Sequence, residues 1–275
     1  MKVIIGNGKV ANILRDEVDV VLSHSDIEIT HVESVHGALR SFPRGTVVVN
    51  TAAKINLEWC EANPKEAEEV NVWGALNVAD VCNALGHRLV HVSSGCIFDG
   101  GESGKVFTEE DTPTPAAWYA CTKSKADTLL LEKGYSDVLI VRPRQLISPV
   151  PNPTNMLTKF ISLGSGEFID SPNSVTCIED MGEMIDHLVE KGCTGIYNLA
   201  NVGYLSPLEI ALRVKEKVAP DLDVWKISYP DYLKKIRVKR VNTLLSLDKL
   251  ISTGYTPRTA SDALDWCLEN YGKKS

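Results

Sequence analysis

Short apolar runs alternate with amphipathic stretches through the first half of this chain. The apolar runs predict strands at 2–5, 18–22, 46–49, 89–92 and 138–141. Between these runs, apolar residues recur at helical spacing, most clearly over 66–85 and 119–134. Strands that alternate with helices are typical of a parallel sheet that is covered by helices on both faces. The pattern therefore predicts an α/β fold with a doubly wound parallel sheet.

A glycine-rich turn follows the first predicted strand. The sequence Gly6-Asn-Gly-Lys-Val-Ala11 leads into a helix predicted over 9–15. The glycines permit a tight turn and close approach of a diphosphate, and a helix N-terminus favours its negative charge. The turn therefore indicates a Rossmann dinucleotide site. His24-Ser25-Asp26 falls where the adenosine ribose is expected, or is a simple polar turn, and no arginine there selects between NADPH and NADH.

The second half of the chain has a looser pattern, with Pro-rich loops at 148–155 and 171–176. Ser206-Pro-Leu-Glu209 predicts a helix that begins with a capping box and a proline. These changes divide the chain into a cofactor domain and a smaller C-terminal substrate lobe. The expected cofactor domain is 1–146 with a contribution from 174–203, and the expected lobe is 147–173 with 204–275.

Composition narrows the function classes. The 275 residues are 44% hydrophobic and carry a formal net charge of −7, with a pI near 5.4. This acidic balance argues against a nucleic-acid binder. No apolar run approaches membrane-spanning length, and the N-terminus enters a strand without a secretory signal. The seven cysteines are scattered without metal-ligand spacing, so we expect reduced thiols, no metal site and a cytoplasmic protein.

The candidate reactive groups follow the strand at 89–92. Ser93, Ser94 and Cys96 come at its carboxyl end, where ligands collect in open parallel sheets. In the next predicted helix, Tyr119 and Lys123 are one turn apart and share a face. A nearby ammonium favours the phenolate, so this pair can make the phenol a proton donor or acceptor. Tyr-x-x-x-Lys alone is commonplace, but it gains weight after a serine-ended strand and a dinucleotide turn.

Three further features have both a functional and an ordinary interpretation. The small residues Thr51-Ala-Ala53 at a strand end let a cofactor lie close, or simply allow close packing. Asn71 is a poor helix former in mid-helix, so it either has a bonding task, such as a bridge to the lysine or a water, or lies at the surface. The basic cluster at 234–240, which includes Arg240, is a diphosphate clamp or a solvated loop.

These residues carry a family resemblance. The glycine turn with Asn71, Ser94, Tyr119 and Lys123 resembles the extended short-chain dehydrogenases/reductases. Segments 92–100 and 107–113 resemble the dTDP-4-dehydrorhamnose reductases. The signatures at 59–61, 95–98, 152–159 and 172–176 resemble the nucleotide-rhamnose 3,5-epimerase/4-reductases of plants and giant viruses. Gly95 replaces the aspartate that is usual in the dehydrorhamnose reductases, which favours the bifunctional group.

The resemblance implies NADPH- or NADH-dependent reduction of a UDP- or dTDP-linked 4-keto-6-deoxyhexose, with 3,5-epimerisation, in nucleotide-rhamnose biosynthesis. The implied catalytic residues are Ser94, Tyr119, Lys123, Cys96 and Lys159. The implied cofactor contacts are Gly6, Gly8, Lys9, Val10, Ala11, Ser25, Thr51, Ala52, Ala53, Asn71, Ser93, Tyr119, Lys123 and Arg142. The implied substrate contacts are Ser94, Cys96, Asn155, Thr176 and Arg240.

Other interpretations stay open. Cys96 is also compatible with a buried structural thiol, and Lys159 with a solvated helix lysine. The protein could be a plain 4-reductase. It could also be a non-catalytic, cofactor-binding subunit that resembles the regulatory subunit of methionine adenosyltransferase. The oligomeric state is open, with a homodimer as one arrangement.

Overall fold

A computed structural model describes residues 1–273, with the exception of the Asp16 side chain. The strands are β1 Lys2–Ile5, β2 Val20–Leu22, β3 Val47–Asn50, β4 Arg88–Val92, β5 Val106–Phe107, β6 Val138–Pro143, β7 Leu146–Ile147, β8 Ser165–Ile169, β9 Thr176–Cys177, β10 Gly195–Leu199, β11 Asp223–Ile227 and β12 Leu244–Leu245. The helices are α1 Lys9–Ile13, α2 Val32–Leu39, α3 Leu57–Ala62, α4 Pro64–Glu68, α5 Ala75–Leu85, α6 Trp118–Glu132, α7 Met156–Ile161, α8 Ile178–Glu190, α9 Pro207–Lys217, α10 Tyr229–Lys235, α11 Asp248–Ser252 and α12 Ala260–Glu269.

Six strands form one parallel sheet in the order β10-β6-β4-β3-β1-β2. One face packs its apolar residues against α2, α5 and α6, and the other face packs against α1, α8 and α11. The chain leaves β1 toward β2 and returns to β3 on the other side of β1. The strand order therefore reverses between β1 and β3, which is where doubly wound folds bind ligands. The predicted doubly wound Rossmann sheet is confirmed.

A second core lies beneath the later helices. Buried residues of α7, α9 and α12 pack around β7 and β9. The parallel pair of β8 and β11 continues this region. Segment 174–203 supplies α8 and β10 to the sheet layers. The capping box at Ser206 and Glu209 is confirmed, with both reciprocal hydrogen bonds present.

The helix predicted over 66–85 is interrupted. Residues Glu69–Gly74 form a π-helical turn between α4 and α5. A Cβ at Gly74 would lie 2.7 Å from Cδ1 of Ile29, so the glycine allows this turn to approach the neighbouring loop. Such turns often occur at functional sites, and Asn71 lies within this one. No helix within residues 1–273 is both long enough and apolar enough to cross a membrane.

Candidate active site

The glycine turn between β1 and α1 has a backbone that only glycine fits. Gly6 has φ of +120°, and a Cβ there would lie 2.6 Å from Oγ1 of Thr51. Thr51 donates this hydroxyl to the Ile5 carbonyl at 2.8 Å, which fixes the neighbouring strand end. A Cβ at Gly8 would meet no atom within 4 Å, so the space above it is open. Ala11 is fully buried against the sheet.

The strand ends beside this turn keep buried polar groups. Among the described residues, Nδ2 of Asn50 is buried without a hydrogen-bond partner, and the buried Ser93 hydroxyl has the Asp127 carboxylate beside it. A buried polar group without a partner is costly, so the side-chain amide of Asn50 favours a bound polar ligand. With the open space over Gly8, it fits a nicotinamide dinucleotide. Ser25 is exposed beyond β2, where its hydroxyl lies 2.7 Å from that of Ser23.

Val10 is half-buried and packs against the core beneath α1, and Ala52 and Ala53, which follow β3, are also half-buried. The Ala52 amide donates to Oδ1 of Asn50 at 3.1 Å, so the turn after β3 is held by its own strand end. These small side chains leave room beside the glycine turn. Their cofactor contacts stay a prediction.

The side chain of Asn71 is hydrogen-bonded, which is one of the two alternatives left open by the sequence. Its lysine partner, however, is Lys54 and not Lys123. Its Oδ1 accepts from the Lys54 amide at 2.7 Å, and its Nδ2 donates to the Lys54 carbonyl at 3.0 Å. Nδ2 also donates to Oγ1 of Thr122 at 3.0 Å. Asn71 therefore ties the loop after β3 to α6, the helix of Tyr119 and Lys123.

Lys9 connects the glycine turn to β7 and to the loop before α7. Its Nζ donates to the carbonyls of Thr154, at 3.2 Å, and Leu146, at 3.5 Å. Burial, with a smaller contribution from the positive charge of Lys159, lowers the pKa of Lys9 to about 8. Lys159 itself is exposed on α7 and lies outside the cavity lining.

Ser94 and Cys96 lie on the turn that follows β4. Oγ of Ser94 accepts from the Cys96 amide at 3.1 Å and caps the short turn Gly95–Ile97. A Cβ at Gly95 would lie 3.0 Å from Cδ1 of Leu245, so the aspartate expected in plain reductases would have little room here. The Cys96 thiol is partly exposed and lines the cavity described below.

Tyr119 and Lys123 come together on α6, one turn apart as predicted. Burial raises the pKa of the Tyr119 phenol, the Cys96 side chain adds to this effect, and Ser94 opposes it. Lys123 is not among the groups that shift this pKa in the structure, so its predicted effect on Tyr119 stays a prediction. The Lys123 ammonium donates to the Val92 carbonyl at 2.9 Å and lies 3.1 Å from Nε2 of His91. Tyr119 is thus a protonated phenol at neutral pH.

A cavity of about 320 Å³ opens beside these groups. Its wall combines residues of the sheet domain with residues of the later lobe. They include Cys96, Tyr119, Arg144, Gln145, Met156, Phe160, Phe168, Tyr232, Lys239, Arg240 and Asn242. The wall thus places a thiol and a phenol beside an apolar surface and three cationic side chains. This composition suits a ring-shaped polar ligand that carries an anionic group.

Arg144 is a site residue that the sequence analysis missed. Its Nη1 donates to Sγ of Cys96 at 3.4 Å, and its Nη2 donates to Oδ1 of Asn173 at 3.0 Å. Nη2 also donates to the Val241 carbonyl. The family resemblance implied only Arg142, although Arg144 follows the carboxyl end of β6 directly.

Arg142 has a structural partner. It is 3% exposed, and its Nε donates to Oδ2 of the equally buried Asp127 at 2.9 Å. Its guanidinium also lies over the Phe98 ring, 5.5 Å from the centroid. The charge of Arg142 is therefore neutralised inside the fold, and this position does not favour the predicted cofactor contact.

Asn155 and Thr176 support the wall rather than form its surface. Both are fully buried and lie outside the cavity lining. Asn155 caps α7 through the Leu157 amide and donates to the carbonyls of Ser148 and Val150. Thr176 accepts from the Arg144 amide at 3.0 Å and donates to the Leu199 carbonyl. Both side chains are therefore engaged with the main chain, and this geometry does not favour their predicted substrate contacts.

The basic cluster reaches the cavity through Lys239 and Arg240. Arg240 forms an ion pair with Glu58 of α3, with Nη2 and Oε1 2.6 Å apart. Lys239 forms an ion pair with Asp99. Two carboxylates thus hold two of the three cations on the cavity wall, and the third is Arg144. No cluster of three or more potential metal ligands occurs within residues 1–273.

Sequence comparison finds relatives along almost the whole chain. The profile of the family described as RmlD substrate binding domain matches residues 4–272. An Arabidopsis thaliana relative, named bifunctional dTDP-4-dehydrorhamnose 3,5-epimerase/dTDP-4-dehydrorhamnose reductase, is 30% identical over 244 residues, which are 86% of this chain and 75% of the relative. Trifunctional relatives from the same plant are longer, and the chain spans 32% of the length of one of them.

Solved structures share the fold. A dTDP-4-dehydrorhamnose reductase from Bacillus anthracis in complex with NADP has a TM-score of 0.86 at 22% identity, over 98% of each chain. The L780 UDP-rhamnose synthase from Acanthamoeba polyphaga mimivirus has a TM-score of 0.85 at 24% identity, over 98% of this chain and 99% of that one. The chain therefore belongs to the RmlD substrate binding domain family, that of the dTDP-4-dehydrorhamnose reductases, and has the fold of an extended short-chain dehydrogenase/reductase.

Proposed function

We propose that this protein uses NADPH or NADH to reduce the C4 ketone of a UDP- or dTDP-linked 4-keto-6-deoxyhexose, and that it also inverts C3 and C5 of the sugar. The observation that carries the proposal is the shared wall of one cavity. Tyr119, Cys96 and Arg240 all line it, so a proton donor, a thiol and a phosphate-binding cation face the same space. The names of the plant and mimivirus relatives support the substrate class.

The cofactor would be held by the glycine turn, the ends of β3 and β4, and Lys123. When bound, it supplies the hydride that reduces the ketone. The NADP of the Bacillus anthracis relative supports this assignment. Gly6 and Gly8 leave the open space for its diphosphate, and Asn50 offers an unpartnered polar atom.

In the reduction, Tyr119 donates its proton to the oxygen at C4. Its raised pKa keeps the phenol protonated at neutral pH, so the proton is available when the alkoxide develops. Ser94 donates a hydrogen bond to the same oxygen as negative charge accumulates there. Asn71 positions α6 through Thr122 and so keeps Tyr119 in register with the turn that carries Ser94.

In the epimerisation, the C4 ketone acidifies the protons on C3 and C5. One group removes a proton from one face of the ring, and a second group returns a proton to the other face. Cys96 is the proposed base on the cavity wall. Lys159 is the proposed partner from the resemblance. Its helix α7 supplies Met156 and Phe160 to the wall, although its own side chain lies outside that lining.

A crossed substrate panel tests this function. The purified protein is incubated with UDP-, dTDP- and GDP-4-keto-6-deoxyglucose and with the corresponding keto sugars already inverted at C3 and C5, each with NADPH and with NADH, and cofactor oxidation and the sugar product are followed. We expect cofactor oxidation and a rhamnose nucleotide with the UDP or dTDP sugar. Reduction of only the pre-inverted keto sugar would identify a plain 4-reductase. Cofactor binding without turnover of any sugar would identify a non-catalytic subunit.

A further inference from the structure

Gln145 combines two features that fold stability does not explain. Among the non-glycine residues that the structure describes, Gln145 alone has a positive φ, of +40°. L side chains seldom adopt this conformation, and where they do, the surrounding structure has to hold them there. The carbonyl oxygen of its side chain is also buried without a hydrogen-bond partner. A strained backbone and an unsatisfied acceptor both cost folding free energy at the same residue.

The strained backbone and the unsatisfied acceptor of Gln145 both lie at the cavity. Gln145 follows β6 at the carboxyl edge of the sheet and lines the cavity wall. Its neighbour Arg144 contacts the Cys96 thiol. The Gln145 main chain is fixed from behind, because its carbonyl accepts from the Thr176 amide at 3.3 Å. The backbone is thus held while the side-chain amide is left for a ligand.

The geometry points to Gln145 as a substrate-binding residue whose side-chain carbonyl accepts a hydrogen bond from a ring hydroxyl of the sugar. This inference rests on the proposed function, because it takes the sugar as the ligand of the cavity. Local strain that persists beside a binding site is expected when it places a group for a ligand. The unsatisfied acceptor is then paired only when the sugar is bound.

The wall composition favours the sugar over the cofactor as the donor. The cavity that Gln145 lines is built by Phe160, Phe168, Tyr232 and Arg240 of the later lobe, together with Tyr119 and Cys96. The glycine turn and the end of β3 do not belong to this wall. A ligand in this cavity is therefore expected to be the sugar, and one of its ring hydroxyls is the proposed donor to Gln145. The carboxamide of the nicotinamide is the competing donor that the experiment has to separate.

The test compares two substitutions that alter Gln145 in different ways. Gln145→Met keeps the length of the side chain and the positive φ but removes the acceptor. Gln145→Gly removes the side chain and relaxes the backbone, because glycine adopts positive φ readily. Dissociation constants are measured by calorimetry on the NADP⁺-saturated protein for UDP-rhamnose, dTDP-rhamnose, UDP and dTDP. The dissociation constant of NADP⁺ and the thermal midpoint are measured for each variant.

We expect both variants to bind the nucleotide-rhamnose about 10-fold more weakly, the loss expected for one hydrogen bond. Binding of UDP, dTDP and NADP⁺ should not change, because these ligands lack the rhamnose ring and its hydroxyls. The thermal midpoint should stay at or above that of the wild type, which separates lost binding from lost folding. If both variants bind the nucleotide-rhamnose like the wild type, the inference is wrong. Weaker NADP⁺ binding with unchanged sugar binding would assign the acceptor to the cofactor and also overturn it. If the wild type binds no nucleotide-rhamnose at all, the proposed function fails together with the inference.

Discussion

Arg240 and Glu58 form an ion pair between the segment after α10 and helix α3, with Nη2 and Oε1 2.6 Å apart. Both side chains are partly exposed, so the pair contributes little to stability, on the order of 0–1 kcal/mol. The pair matters for binding, because Glu58 competes with a substrate diphosphate for the Arg240 guanidinium. A diphosphate carries more charge than one carboxylate and should displace Glu58.

The first prediction follows from this competition. Arg240→Ala should raise the substrate KM about 10-fold and leave the cofactor KM unchanged, because a charged hydrogen bond to the diphosphate is lost. Glu58→Gln should lower the substrate KM by at most a few-fold, because Arg240 is released. Steady-state kinetics on both variants provides the measurement. If both variants match the wild type, or substrate and cofactor KM change equally, the cluster is a solvated loop.

The second prediction concerns Arg142, whose cofactor role the structure does not favour. Arg142→Ala should destabilise the fold by about 3–5 kcal/mol, because Asp127 is left buried without its partner. The double variant Arg142→Met/Asp127→Leu should recover most of this loss. Denaturant unfolding with cofactor titration distinguishes the two roles. A folded single variant that binds the cofactor much more weakly than the double variant would restore the cofactor role.

The third prediction concerns Lys123 and pH. Burial lowers its pKa from 10.5 to about 8, with Asp127 opposing the shift. Between these values the unfolded chain binds more protons than the folded protein, so stability from this group rises with pH. Relative to Lys123→Met, the wild type should gain about 2–3 kcal/mol from pH 7 to pH 10. Urea unfolding of both proteins across this range measures the difference. A constant difference would show that the folded lysine titrates normally.

The sequence was sufficient for the sheet domain because its signals are local. The glycine turn, the serine-ended strand and the Tyr119–Lys123 spacing each lie within a few residues, and the strand-end rule brings them together. The Lys123 ammonium is oriented by His91 and the Val92 carbonyl. The four-residue spacing between Tyr119 and Lys123 could not predict these contacts.

The rest of the cavity depends on long-range packing. Phe168 lies on β8, which pairs with β11 more than fifty residues later, and no local pattern predicted that pair. The sequence did not distinguish Arg144 from Arg142, because the two arginines differ only in their three-dimensional contacts. Arg144 contacts Cys96 and Asn173. Asn155 and Thr176 matched family signatures, but such signatures also include residues that shape loops.

The fourth prediction tests the proton donor. Tyr119→Phe should lower the rate of reduction by at least about 100-fold, because general-acid loss typically costs 10²–10⁴-fold. Cofactor affinity, measured by fluorescence titration, should stay close to that of the wild type. Cys121→Ser is a matched control on the same helix, since Cys121 is a free thiol outside the cavity lining. A Tyr119→Phe variant that keeps more than about a hundredth of the wild-type rate would exclude the general-acid role.

The last prediction separates an epimerase-reductase from a plain reductase. A plain reductase accepts only a keto sugar that is already inverted, whereas the bifunctional enzyme also accepts 4-keto-6-deoxyglucose. Cys96 motivates the bifunctional interpretation because its thiol lies on the same cavity wall as Tyr119. In D₂O, the wild type should place deuterium at C3 and C5 of the product, since each inverted carbon receives its new proton from a group that exchanges with solvent.

Two variants assign the steps. Cys96→Ser should lose deuterium incorporation yet still reduce a pre-inverted substrate, because Tyr119 and Ser94 are unchanged. Lys159→Met should lose incorporation as well, because Lys159 is the proposed second proton-transfer group. Retained incorporation would remove Lys159 from the mechanism and leave it as an exposed lysine near Lys9. Product analysis by NMR and mass spectrometry reads both outcomes. Absence of deuterium at both carbons with the wild type would exclude epimerisation and leave the 4-reductase, because inversion without exchange has no route through these residues.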